Sequence, residues 1–272
     1  MINVTKFLKT NSIAFIILSL VIGVVFSQLP RTFYQQDEWY SLGIIYAEGS
    51  QTIFDGVSSP LDFIFAKGRV LSSGIGFLFL NYFPFQITQL AIFAILLHII
   101  ATCLVYFLIN KFFQNRLIAL LGASFFTANA VSHGAVTWPV IAINTVTSTI
   151  LILLSILFFF KYIDNLKLKW LFLTGVMTYF SLWFKETGTY LFLFLPMSAL
   201  LFRKYTITSL LKRFWFYIFF SIMIISYRII LLKLVTINPN LYITGQNEHF
   251  FSTILLRVIL YPLTSLDRKS VV

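Results

Sequence analysis

Residues 87–109 read ITQLAIFAILLHIIATCLVYFLI, 23 positions without a charged side chain. At about 1.5 Å per residue, a helix of that length covers about 35 Å, enough to cross a hydrocarbon core of ~30 Å. Outward from it, the same reading finds Ser12–Leu29, Leu117–Val131, Ile141–Phe160, Trp170–Phe184, Tyr190–Phe202 and Phe214–Leu232, with an eighth stretch beginning near Phe251. The first follows Lys6 and Lys9 and stops at Pro30. It has the basic start of a signal peptide but no small-x-small cleavage site, and reads as an uncleaved signal anchor. The expected fold is all-α: a polytopic integral membrane protein with about seven to eight transmembrane helices.

Composition agrees. Of 272 residues, 59% are apolar and 11% charged, against about 45–50% and about 25% in a soluble domain. A soluble enzyme, a disordered chain and a disulfide-rich secreted domain are all poor fits. Cys103 is the only cysteine, so there is no intrachain disulfide and no cysteine-based metal cluster. The 20 Lys and Arg against 9 Asp and Glu give +11. With no basic stripe on a soluble face, that excess reads as loop bias and attraction to membrane lipid, not as nucleic-acid binding. Walker, Rossmann, G-x-S-x-G and H-E-x-x-H patterns are missing, which leaves no support for a nucleotide-driven pump.

The basic residues set the expected orientation. With the N-terminus cytoplasmic, the inner segments hold Lys6, Lys9, Lys111, Arg116, Lys161, Lys167, Lys169, Arg203, Lys204, Lys212 and Arg213, with Asp164 as their one acid. That is the positive-inside pattern. Asp37, Glu38, Glu48, Asp55, Asp62, Glu186 and Glu248 fall on the other side. The connection from Pro30 to Phe85 is a large first outer loop. Interrupted apolar stretches within it, such as Val70–Phe85, suit amphipathic helices on the membrane surface. A connection this long is usually functional.

Three outer clusters are candidates for chemistry. Gln35-Gln36-Asp37-Glu38-Trp39-Tyr40 carries two adjacent carboxylates at the edge of hydrocarbon. There mutual repulsion and desolvation suit one of them for base work; the alternative is a solvated loop anchored by Trp39. Trp183-Phe184-Lys185-Glu186-Thr187-Gly188-Thr189 puts a Lys-Glu pair into an apolar hairpin, costly unless the charges pair or meet a ligand. Lys185 then meets a phosphate, or the pair merely neutralises itself around the bend at Gly188. The third cluster, Ala130 to Pro139, carries His133. A lone His is more often a hydrogen-bonded structural group, and with no second His nearby it does not indicate a metal site. Arg69 and Arg228 are outer basic residues against the inside rule. Arg228 either snorkels to the interface or joins Arg69 and Lys185 in holding a lipid-linked phosphate.

In order and sidedness these three clusters resemble the membrane-embedded GT-C glycosyltransferases, in particular the protein O-mannosyltransferase and aminoarabinose-transferase branch (glycosyltransferase family 39). Asp37-Glu38 is similar to that branch's acidic motif. Ser132-His133-Gly134-Ala135-Val136-Thr137-Trp138 is similar to its outer loop after the third span, and Phe184-Lys185-Glu186-Thr187 to its Lys-Glu turn after the fifth. The resemblance implies inverting transfer of a sugar from a polyprenyl-phosphate donor to a protein, lipid or glycan acceptor on the non-cytoplasmic face of the cell membrane. Asp37 would be the base and Glu38 its support. Lys185, Arg69 and Arg228 would bind the donor phosphate, with Glu186 and His133 supporting. No cofactor is implied, and a requirement for a divalent metal ion stays open. Family members have further spans and often a C-terminal outer domain. Asp267 to Val272 break an apolar segment and match one reading frame of a common sequencing adapter. The expectation is thus a truncated chain, with residues 1–266 as a single incomplete domain and 267–272 as a non-native tail. The rivals are a transporter or flippase subunit without bond-making chemistry, for which Pro196 inside a span speaks, and an assembly subunit.

Overall fold

The computed structural model describes residues 4–34, 38–39, 42–43, 70–83, 86–129, 136–203 and scattered positions from 206 to 226. The chain divides into two compact units, Met1–Ile225 and Ser226–Val272, and the helices described belong to the first. They are α1 (Val4–Val25), α2 (Val70–Tyr82), α3 (Ile87–Phe113), α4 (Arg116–Ala128), α5 (Pro139–Asn165), α6 (Leu168–Phe184) and α7 (Leu191–Arg203), with 3-10 turns at Leu29–Arg31 and Glu186–Tyr190. Among the described residues there is no strand. Three segments are long and apolar enough to cross a membrane: Asn11–Arg31, Ile87–Phe113 and Pro139–Asn165. Arg116–Ala128 and Thr187–Leu201 are apolar but shorter. Of the span expected at Phe214–Leu232, only scattered helical positions are described, among them Tyr217, whose ring packs on Phe159 and Phe192. The eighth span lies outside the described residues.

Small residues line parts of the helix interfaces, beside a core of large side chains such as Leu18, Ile22, Tyr106 and Phe159. Where lipid tails are as apolar as leucine, helices associate through close packing of small residues and through hydrogen bonds. On α3 the fully buried face carries Ala91, Ala94 and Ala101, while Ile92, Phe93, Leu96 and Ile100 face outward. Similarly, α4 buries Ala119 and Ala123 and exposes Leu117, Leu121 and Phe125. Polar side chains stitch the interfaces. Ser148 Oγ donates to the carbonyl of Ser181 at 3.2 Å, and Ser155 Oγ pairs with Thr178 Oγ1 at 2.7 Å, both across α5 and α6. Thr102 meets Thr127 at 3.1 Å between α3 and α4. Tyr106 donates to Asn11 at 2.8 Å between α3 and α1.

The two ends of the bundle differ. At one end α3 and α4 are joined by Gln114 and Asn115. Gln114 is left-handed (φ 50°) and closes α3, and the Asn115 carboxamide caps α4 by accepting from Leu117 and Ile118. Leu166, also left-handed at φ 53°, closes α5 before α6. Lys111 pairs with Asp164 at 2.9 Å across this end, where Arg116, Lys161, Lys167 and Lys169 also lie. At the other end stand the start of α3, tied to the 3-10 turn by Thr88 Oγ1 on the Pro30 carbonyl at 3.0 Å, the start of α5, and the end of α6. Glu38 and Lys185 belong to that second end.

Filling a small-residue interface should be costly, and changing the lipid-facing surface should not. Ala101→Leu is expected to destabilise the bundle by about 1–3 kcal/mol, while Ile100→Leu stays within about 0.5 kcal/mol. Reversible unfolding in bicelles, read by steric trapping, measures both.

Candidate functional site

The site grows from a defect in the start of α5. Trp138 occupies the N-cap with extended backbone and offers no side-chain acceptor, and Pro139 follows at the first helical position. The Trp138 carbonyl already accepts from Ala142, but the amides of the first turn have no intrahelical partner. Proline lacks one by nature. Glu38, far away in the chain, supplies the acceptor. Its Oε1 takes hydrogen bonds from Val140 N at 2.7 Å and Ile141 N at 3.4 Å. The side chain is 1% exposed. The partial positive charge at the helix N-terminus complements the carboxylate, and two orphan donors are satisfied at once.

Around that anchor the first outer segment is locked by packing. Tyr34 and Leu42 are buried with Leu80, Ile87, Leu90, Val140 and Ile143 in one apolar cluster. Trp39 turns the other way, 47% exposed, with its ring edge-on to Tyr34 at 5.7 Å. Adjacent residues on a helix point about 100° apart, which separates an inward Glu38 from an outward Trp39. Helix α2 approaches through Gly76, where an added Cβ would sit 3.8 Å from Asn144 Nδ2 and 3.9 Å from Val140.

The second charge reaches the same helix one turn deeper. Lys185 closes α6 with its amide on the Ser181 carbonyl at 2.9 Å. Its half-buried side chain lies with Nζ 3.5 Å from Thr145 Oγ1 of α5. The bend that follows is tight: a Cβ at Gly188 would collide with Ser181 Oγ. Val140 and Thr145 are five residues apart, about 7–8 Å along the axis, so the two charged groups dock on neighbouring turns of one helix. Between them lies Asn144, 8% exposed, whose Nδ2 faces the Val140 carbonyl at 3.5 Å and whose Oδ1 is buried without a hydrogen-bond partner among the described residues. Asn144 and Thr145 were not among the residues singled out from sequence. The available signal was the cost of an amide inside an apolar span.

Of the expected site residues, the structure thus places Glu38 and Lys185 on the first two turns of the same helix. Glu186 begins the 3-10 turn after Lys185, and its side chain lies outside what is described. Asp37, Arg69, His133 and Arg228 also lie outside the described residues. Among the described residues, no three His, Cys, Asp or Glu side chains gather to hold a metal ion. Chemically, the arrangement offers a fixed carboxylate, a half-buried ammonium beside a hydroxyl, and an amide oxygen able to accept a proton donor. Comparison of the chain with protein-family models, curated proteins and solved structures returns no match.

Removing the imported cap should loosen the start of α5 specifically. Glu38→Ala is expected to cost about 1–3 kcal/mol and to speed hydrogen exchange at the amides of Val140 and Ile141. Glu38→Gln keeps an acceptor oxygen and should lose only part of this. Equal protection of both amides in wild type and Glu38→Ala would contradict the assignment.

Proposed function

We propose that the chain is a membrane glycosyltransferase. It transfers a sugar, with inversion, from a polyprenyl-phosphate donor to an acceptor on the non-cytoplasmic face. The observation that carries this reading is the docking of Glu38, from the acidic cluster, and Lys185, from the Lys-Glu turn, on the first two turns of α5. The crowding of Lys111, Arg116, Lys161, Lys167 and Lys169 at the opposite end supports a non-cytoplasmic site, by the positive-inside rule.

In this reading the donor's tail stays in the bilayer and its phosphate sits at the interface. Asp37 takes the proton of the acceptor hydroxyl as that oxygen attacks the anomeric carbon from the face opposite the phosphate. The anomeric C–O bond breaks, and its electron pair leaves with the polyprenyl phosphate. Lys185, joined by Arg69 and Arg228, neutralises the charge developing on the leaving group. Glu186 orients Lys185, and His133 borders the site. Glu38 acts as a positioning residue: its carboxylate caps α5, and Asp37 is its neighbour in the chain.

The rival reading, a transporter or flippase that moves a lipid-linked substrate without making a bond, draws on Pro196 inside α7. Proteoliposomes given a radiolabelled polyprenyl-phosphate sugar and mixed acceptors distinguish the two. Transfer is expected to fall about 10²–10⁴-fold in Asp37→Asn, and in Lys185→Gln to weaken mainly through the donor KM. Movement of label across the bilayer without a glycosylated product would favour the rival. Undiminished transfer by Asp37→Asn would remove that carboxylate from the mechanism.

A further inference from the structure

The opposite end of the bundle carries a second constellation that the proposed reaction does not use. Trp170, on the first turn of α6, has Lys161 Nζ 3.7 Å from its ring centroid and Lys169 Nζ at 5.2 Å. Lys161 comes from the last turns of α5 and Lys169 from the start of α6, so the α5–α6 hairpin folds two amines onto one indole. The ring is itself fixed by stacking on Phe158 at 5.7 Å and 27°. Like charges gathered on one ring repel unless a counter-charge joins them. The nearby acid, Asp164, is already paired with Lys111 at 2.9 Å. Among the described residues neither Lys161 nor Lys169 makes an ion pair, and Lys167 adds a third positive charge in the same turn. On the first turns of the same α6, Leu168 is 72% and Phe172 63% exposed.

We infer that this hairpin is a binding site for the phosphate headgroup of an anionic phospholipid. The phosphate lies between the ammonium groups of Lys161 and Lys169 at the rim of Trp170, and the acyl chains run down the exposed faces of Leu168 and Phe172. The indole places the site at headgroup depth, where tryptophan ordinarily sits. The apolar residues next to the amines favour a lipid over free phosphate, which has no tail to lay on them. The site does not depend on what chemistry occurs at the far end of α5.

Native mass spectrometry of the detergent-solubilised full chain tests it, with phosphatidylglycerol, phosphatidylcholine and inorganic phosphate added separately. Phosphatidylglycerol should remain bound at collision energies that strip phosphatidylcholine, and millimolar inorganic phosphate should not displace it. Lys161→Gln with Lys169→Gln should weaken retention roughly ten- to thirtyfold, at about a factor of five per lysine. Lys161→Arg with Lys169→Arg should restore it, which separates a lost site from a misfolded hairpin. Three results would overturn the inference: equal retention of the two lipids, displacement of the lipid by inorganic phosphate, or unchanged retention in the double Gln variant.

Discussion

A helix that begins Trp138-Pro139 inside a membrane protein cannot cap itself, and the remedy organises everything at that end of the bundle. The indole offers no acceptor and the proline no amide, so Val140 and Ile141 present their N–H groups to a region with little water. Leaving such a donor unpaired costs about as much as losing a hydrogen bond outright. The chain resolves this by bringing in Glu38 from the segment after α1. The acceptor must arrive with its flanking residues, so Tyr34 and Leu42 pack where they do and Trp39 is turned outward. One carboxylate thus fixes the start of α5 and ties the segment after α1 to it.

The same helix takes Lys185, and here the rigid element is the α5–α6 pair. Ser148 and Ser155 lie seven residues apart on α5, so both face α6, and their bonds to Ser181, Thr174 and Thr178 hold the two helices in register. Register at these positions determines where α6 ends, and the end of α6 determines where the ammonium of Lys185 meets Thr145. Small polar side chains serve this purpose well in lipid. They permit close approach of backbones and need a partner that only the neighbouring helix can provide. The turn beyond Lys185 leaves no room for a side chain at Gly188, which keeps the Lys-Glu bend pressed against the same interface.

How much of this was legible from residue order depends on the range of the interaction. The long helices were plain, because an uncharged run such as Ile87–Ile109 is long and apolar enough to cross a bilayer as a helix. Their ends moved by a few positions for local reasons: Pro139 starts α5 two residues before Ile141, and left-handed Gln114 and Leu166 let α3 and α5 run past the apolar stretch into polar residues. The span placed at Leu117–Val131 ends earlier, at Ala128, where the extended Asn129 terminates it and its side chain caps the carbonyls of Phe125 and Phe126. The acidic pair was recognisable as costly at the membrane edge, but the commitment of Glu38 to a helix start 102 residues later leaves no local trace. Asn144 carried a readable signal, an amide in an apolar span, yet its closeness to Gly76 and the docking of Lys185 on the adjacent Thr145 exist only in three dimensions.

The account rests on the acidic segment and the Lys-Glu bend sharing one membrane face, opposite the lysine-rich hairpin. Single cysteines at the exposed positions Trp39→Cys, Thr187→Cys and Lys167→Cys, in a chain with Cys103→Ser, test this directly with a membrane-impermeant maleimide on sealed vesicles of both orientations. The expected result is labelling of positions 39 and 187 in the same vesicles and of position 167 only in the others. Labelling of 39 and 187 from opposite sides would contradict it.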